Sequence, residues 1–210
     1  MSVPSPDDSP DGSRRSIGAR RNPASQEAIL DAAEAIIAEQ GLAGFSIEAV
    51  ARRAKAGKPT IYRWWPNKTQ LLVDVYKRLK RSVDQVDTGT LRGDCIAFLE
   101  TLFSYWASGA GSVFRSIVAE AQNDASAAEA LRLYHAERSR VTARLIERAG
   151  TRGELAEGVD PLVVSELLSA YAWQVTLTGR QPPPRSEIER VVRHILGPVA
   201  KQKGPVAGPS

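Results

Sequence analysis

The chain has 210 residues, 42% hydrophobic and 25% charged, enough to bury one good core or two modest ones. No stretch approaches the ~18 uninterrupted apolar residues of a membrane helix, and the first twenty residues lack the apolar segment of a secretory signal; cytoplasmic residence is expected. The single cysteine, Cys95, excludes an intramolecular disulfide and a thiolate zinc site within one chain, and reads as a small buried hydrophobe.

The formal charge of +4 is unevenly distributed. From Arg14 to Arg81 there are fourteen basic and six acidic residues, a surplus of eight positive charges, whereas from Ser82 onward 14 basic residues face 15 acidic ones. A basic first third on a near-neutral remainder suggests a polyanionic partner for that third alone, although a solvated charged face gives the same count.

Residues 1–24 hold Pro4, Pro6, Pro10 and Pro23 among Ser, Asp and Gly, with too little apolar surface to offset the entropy of ordering, which predicts a flexible basic tail. Its arginines, Arg14, Arg15, Arg20 and Arg21, either follow a DNA groove or keep the tail soluble. Next, Ile29, Ala32, Ala33, Ile36 and Ile37 keep an apolar stripe at the 3.6-residue period, with Ser25 as the expected cap and Gly41 as the stop. A second helix is expected from a Ser46 cap to about Arg53, and a third from Lys58 to Trp64. Asn67 with Gln70 three residues on resembles a capping box and opens a helix carrying Leu71, Leu72, Val75, Tyr76 and Leu79.

Helical periodicity continues over Leu91 to Trp106, Val113 to Ala121 and Ala127 to Ala149, with Gly150 and Gly153 bracketing a turn. Asp160 then caps, and Pro161 opens, a helix apolar around much of its circumference: Val164, Leu167, Leu168, Tyr171, Ala172 and Val175 share one face, and Leu162, Val163 and Ala170 lie elsewhere. After Pro182-Pro183-Pro184, a seam of Ile188, Val191, Val192, Ile195 and Leu196 marks a final helix. A helix apolar on more than one side must be covered twice, which in so small a chain predicts a second subunit. Residues 197–210 repeat the Gly/Pro pattern and read as a second flexible tail. The expected class is all-α, with neither strands nor repeats.

Residues Ser46 to Trp65 meet the demands of a helix-turn-helix. Ala51 stands where two helices must approach closely, and Ile61, ten residues on, is the stiff apolar residue that locks one onto the other; Val50 and Ala54 fill the same small core. The second helix gathers Lys58, Pro59, Thr60, Tyr62 and Arg63 near its N-terminal end, where main-chain N–H groups and the dipole favour phosphate.

On the string Lys58-Pro59-Thr60-Ile61-Tyr62-Arg63-Trp64-Trp65-Pro66-Asn67-Lys68, with Ile29-Leu30-Asp31-Ala32-Ala33 and Glu39-Gln40-Gly41-Leu42 before it, the chain resembles the TetR family of bacterial regulators. The resemblance is strong over residues 25–80; Arg152-Gly153-Glu154-Leu155, Asp160-Pro161 and Thr178-Gly179-Arg180 extend it more weakly to the end. It implies an all-helical homodimer of about nine helices per chain. A three-helix helix-turn-helix domain, here residues 25–82, would precede a ligand-binding and dimerisation domain over 83–196.

Carried over by position, the resemblance implies that Lys58, Pro59, Thr60, Tyr62 and Arg63 face the major groove, that Ser46 and Ile47 open the preceding helix beside the DNA backbone, and that Lys68 meets phosphate. Lys58 could donate to guanine, worth ~1–3 kcal/mol of discrimination if base-specific, and Tyr62 suits a phosphate or a thymine methyl. At least one of Trp64 and Trp65 is expected in the core. One position departs from the family pattern: Lys55 stands where glycine is usual, so it either accepts a positive φ at about 1–2 kcal/mol or the turn is built differently.

Beyond Ser82 no catalytic constellation is present: His135 and His194 lack a carboxylate three residues earlier, and no phosphate-binding glycine loop or nucleophile elbow occurs. No enzymatic activity, metal or cofactor is expected. The family resemblance implies an effector cavity, for which Phe98, Trp106, Phe114, Tyr134 and Trp173 are the candidate lining, with His135 or Gln174 as a polar contact. The expectation is a homodimeric repressor of a palindromic operator, dimerised through its last two helices and released by a small, largely apolar effector. An architectural nucleic-acid-binding protein and a purely protein-interacting helical dimer are the rival readings.

Overall fold

In the computed structural model, residues 23–79, 86–180 and 182–197 are described. The tail arginines, the domain boundary at residue 82 and the last thirteen residues lie outside that set. Every regular element among the described residues is helical: α1 (Pro23–Gln40), a short 3-10 turn (Leu42–Gly44), α2 (Ile47–Ala54), α3 (Lys58–Trp64), α4 (Lys68–Leu79), α5 (Leu91–Ala107), α6 (Ala110–Ala121), α7 (Ala125–Thr151), α8 (Pro161–Leu177) and α9 (Arg185–Leu196).

Local chemistry accounts for most boundaries. The Ser46 hydroxyl accepts from the Ala49 N–H and starts α2, and the Asp160 carboxylate accepts from the Leu162 N–H ahead of Pro161 in the first turn of α8. Gly41, at φ +65°, ends α1. Three expectations need correction. The first helix begins at Pro23, not after a Ser25 cap, because a helix-starting proline lacks only an N–H that would have no intrahelical partner. Asn67 caps α4 by accepting from the Gln70 N–H, but the return limb of the capping box is missing: the Gln70 amide reaches out to Ser126 at the start of α7. Gly150 lies inside α7, and the turn after it is made by Gly153 at φ +74°.

One apolar core runs through the chain from Ile29 on α1 to Leu196 on α9. At its N-terminal end Ile29, Ala33, Val50, Ile61 and Leu71 are fully buried, and Ala51 of α2 is buried in the same core. The helix α4 has two allegiances, packing on α1 with one face and on α6 and α7 with another. Farther on, α7 packs against α6 and α8, and α5 against α9. The α5–α6 turn is tight enough to require Gly111, where a Cβ would stand 2.1 Å from the Trp106 carbonyl oxygen. Cys95 is fully buried, and desolvation pushes its thiol up to about 12, as expected of an inert packing residue.

Candidate nucleic-acid interface

Seven residues make up α3; Ile61 among them is fully buried and Trp64 packs partly against the core, and these two side chains anchor the helix. Lys58, Pro59, Tyr62 and Arg63 are exposed and Thr60 half-buried. Trp65 fulfils the core expectation: its ring is buried and its indole N–H donates to Asp74 on α4 at 2.8 Å, tying the end of α3 to the next helix. Trp64 is partly buried against the same core. Ser46 is half-buried with its oxygen engaged as the cap, while the Ile47 side chain is buried, which leaves only its main chain available to a ligand. Lys68 is exposed at the start of α4 with its ammonium 5.4 Å from the centre of the Phe45 ring.

The α2–α3 turn resolves the question posed by Lys55. The residue adopts φ 51°, ψ 37°, the left-handed conformation, and its N–H closes the end of α2 on the Ala51 and Arg52 carbonyls. The turn therefore keeps the geometry that suits glycine, with a side chain that pays strain for it. Across the same region Arg53 makes a two-pronged bond to Glu39, both contacts 2.6 Å, which braces α2 on α1.

Behind the reading surface, α4 is held from both sides. Arg78 meets Glu27, Asp31 and Glu34 of α1 at 3.4, 2.6 and 2.8 Å, and neighbouring Lys77 meets Glu137 of α7 at 2.6 Å. Between them Tyr76 points into the C-terminal helices. Its hydroxyl accepts from the Trp106 indole N–H, and its ring lies 5.7 Å from Phe114, 5.5 Å from Tyr134 and 5.7 Å from Tyr105.

That ring cluster contains most of the candidate effector lining. Trp106 stacks on Phe114 at 4.9 Å, Phe114 meets Trp173 edge-on at 5.0 Å, and His135 meets Trp173 at 5.3 Å. Phe98 stands apart and borders a separate cleft with Val86, Val141 and Arg148. Sequence reasoning overlooked Tyr76 as part of this cluster; a tyrosine in the middle of the apolar stripe of α4 was the available signal. It also overlooked Glu48, whose carboxylate accepts from Lys58 at 3.1 Å.

Two family models match the chain: that of the bacterial regulatory proteins of the tetR family over residues 29–75, and that of the tetracyclin repressor-like C-terminal domain over residues 85–195. The chain belongs to the TetR family. As a member it is a transcriptional regulator with an N-terminal helix-turn-helix, and not an enzyme. It is 31% identical over 167 residues to the HTH-type transcriptional regulator YdeS of Bacillus subtilis, covering 77% of this chain and 83% of that one. It is also 31% identical over 174 residues to the DNA-binding transcriptional repressor TetR of Mycobacteroides abscessus, covering 80% and 90%. Among solved structures it is similar to the TetR family transcription regulator SCO0332, with TM-score 0.73 and 27% identity over 83% of this chain and 98% of that one. No helix among the described residues is long and apolar enough to cross a membrane.

Proposed function

We propose that this TetR-family regulator is a cytoplasmic homodimeric repressor that reads a palindromic operator and leaves it when a small effector binds. The exposed face of α3 carries the reading: Lys58, Pro59, Tyr62 and Arg63 are offered outward from a helix pinned by Ile61 and Trp65. In this reading they enter the major groove with Thr60, Ser46 and the Ile47 main chain lie beside the sugar-phosphate backbone, and Lys68 binds phosphate. The reading head spans residues 25–82 and the effector domain 83–196.

Dimerisation is supported by α8, where Leu162, Val163, Leu167 and Leu177 remain exposed although the opposite face is packed in the core. Pairing of α8 and α9 with their symmetry mates would set two heads about 34–36 Å apart, one turn of DNA. Effector binding beside Trp106, Phe114, Tyr134 and Trp173 would act on α4 through Tyr76 and change that spacing. A coupling of ~1–3 kcal/mol weakens operator binding ~5–150-fold.

The test is salt-titrated binding to the DNA immediately upstream of the chain's own gene. Specific binding should persist at salt that abolishes binding to random fragments. Equal affinity for both fragments at moderate salt refutes the repressor reading and favours an architectural role; no binding at low salt refutes DNA binding altogether.

A further inference from the structure

An open cleft of about 420 Å³ lies where the end of α5, the start of α6, the end of α8 and the segment before α9 meet. That volume falls within the ~300–1,000 Å³ of sites that hold drug-sized ligands. Phe103, Trp106 and Val175 supply its apolar lining. Arg115 and Arg180 line it as well, and no carboxylate lines the cleft among the described residues.

The two arginines differ. Arg180 is held at the rim by Glu187, 2.6 Å away, which in turn accepts from the Tyr171 hydroxyl at 3.1 Å. The Arg180 guanidinium beside Glu187 holds that carboxyl below the usual carboxylate range, so Glu187 stays charged and compensates Arg180. Arg115 makes no ion pair among the described residues. Two guanidinium groups against one carboxylate leave a single uncompensated positive charge beside an aromatic wall. A guanidinium in that setting matches a carboxylate through paired N–H donors.

We infer that this cleft binds a monoanionic carboxylic acid with an apolar, ring-sized body, the acid group on Arg115 and Arg180 and the body against Phe103 and Trp106. The inference rests on the reading of the chain as effector-controlled and refines it, because the cluster of apolar rings alone would favour a neutral ligand. Trp106 belongs both to this cleft and to the ring cluster on Tyr76, so occupancy is felt one hydrogen bond away from α4.

The experiment compares 1-naphthylacetate with its neutral isostere 1-naphthylacetamide by calorimetric titration of the DNA-free protein. The acid is expected to bind at least tenfold more tightly than the amide. Arg115→Gln should remove that preference by weakening binding of the acid far more than binding of the amide, and Arg115→Lys should restore part of it. Equal affinity for acid and amide, a preference that survives Arg115→Gln, or binding of neither probe at millimolar concentration overturns the assignment. Because no DNA is present, the outcome is independent of whether the operator reading stands.

Discussion

The Lys58 ammonium lies 3.1 Å from the Glu48 carboxylate, so the first residue of α3 is tethered to α2 before any DNA arrives. Both side chains are about half exposed, and the lysine beside it holds the Glu48 carboxyl below its ordinary range. To reach a base edge or a phosphate, Lys58 must leave this partner and expose a carboxylate to a polyanion. Glu48→Gln is therefore expected to raise affinity for random DNA several-fold and to shrink the ratio of specific to non-specific binding. Fluorescence anisotropy on operator and scrambled duplexes at matched salt measures both; an unchanged ratio would contradict the restraint.

Lys55 offers a stability test. Its left-handed conformation is one that glycine adopts without steric cost, while glycine also enlarges the unfolded ensemble. The net expectation for Lys55→Gly is a gain of roughly 0.5–1 kcal/mol, or about 1–4 °C in Tm for a chain of this size. Thermal unfolding by circular dichroism decides it, and a fall in Tm would mean that the lysine side chain contributes a contact worth more than the strain.

Tyr76 links the two halves of the molecule and is the natural target for a pH experiment. Burial pushes its hydroxyl up to about 12, against ~10 for an unfolded tyrosine. A group whose folded pKa is raised gives its stabilisation in full below the unfolded value and loses it as pH climbs toward the folded one. Stability should thus be level up to about pH 8, decline from about pH 9 as Cys95, raised to about 12, loses its share, and fall more steeply between about pH 10 and 12, where Tyr171, also raised to about 12, adds to Tyr76. Tyr76→Phe strands the buried Trp106 N–H at a cost of about 1–3 kcal/mol at neutral pH and makes the alkaline fall shallower. Urea unfolding at pH 7.5 and pH 11 checks both parts.

The exposed apolar face of α8 gives the fourth prediction. Leu167 is 49% exposed beside Val163 at 50%, and a glutamate placed there would be buried without a partner if α8 faces a second copy. Leu167→Glu should convert a sedimenting dimer to monomer with the helical content intact, and should weaken operator binding far more than binding to a single half-site. A variant that remains dimeric places the subunit contact elsewhere.

Much of this molecule was legible in the chain itself because the governing physics is local. The Ser46 cap, the Asp160-Pro161 start and the lock at Ile61 each act within one or two helical turns, and the same short string carried the family likeness. Other features needed the folded chain. Glu48 meets Lys58, Tyr76 meets Trp106, and Arg115 shares a cleft with Arg180 because α2 to α8 pack at particular angles, not because of any spacing in the sequence. Phe98 parted from the other candidate rings for the same reason: periodicity tells which side of a helix is apolar, whereas which neighbour that side meets is decided by tertiary packing.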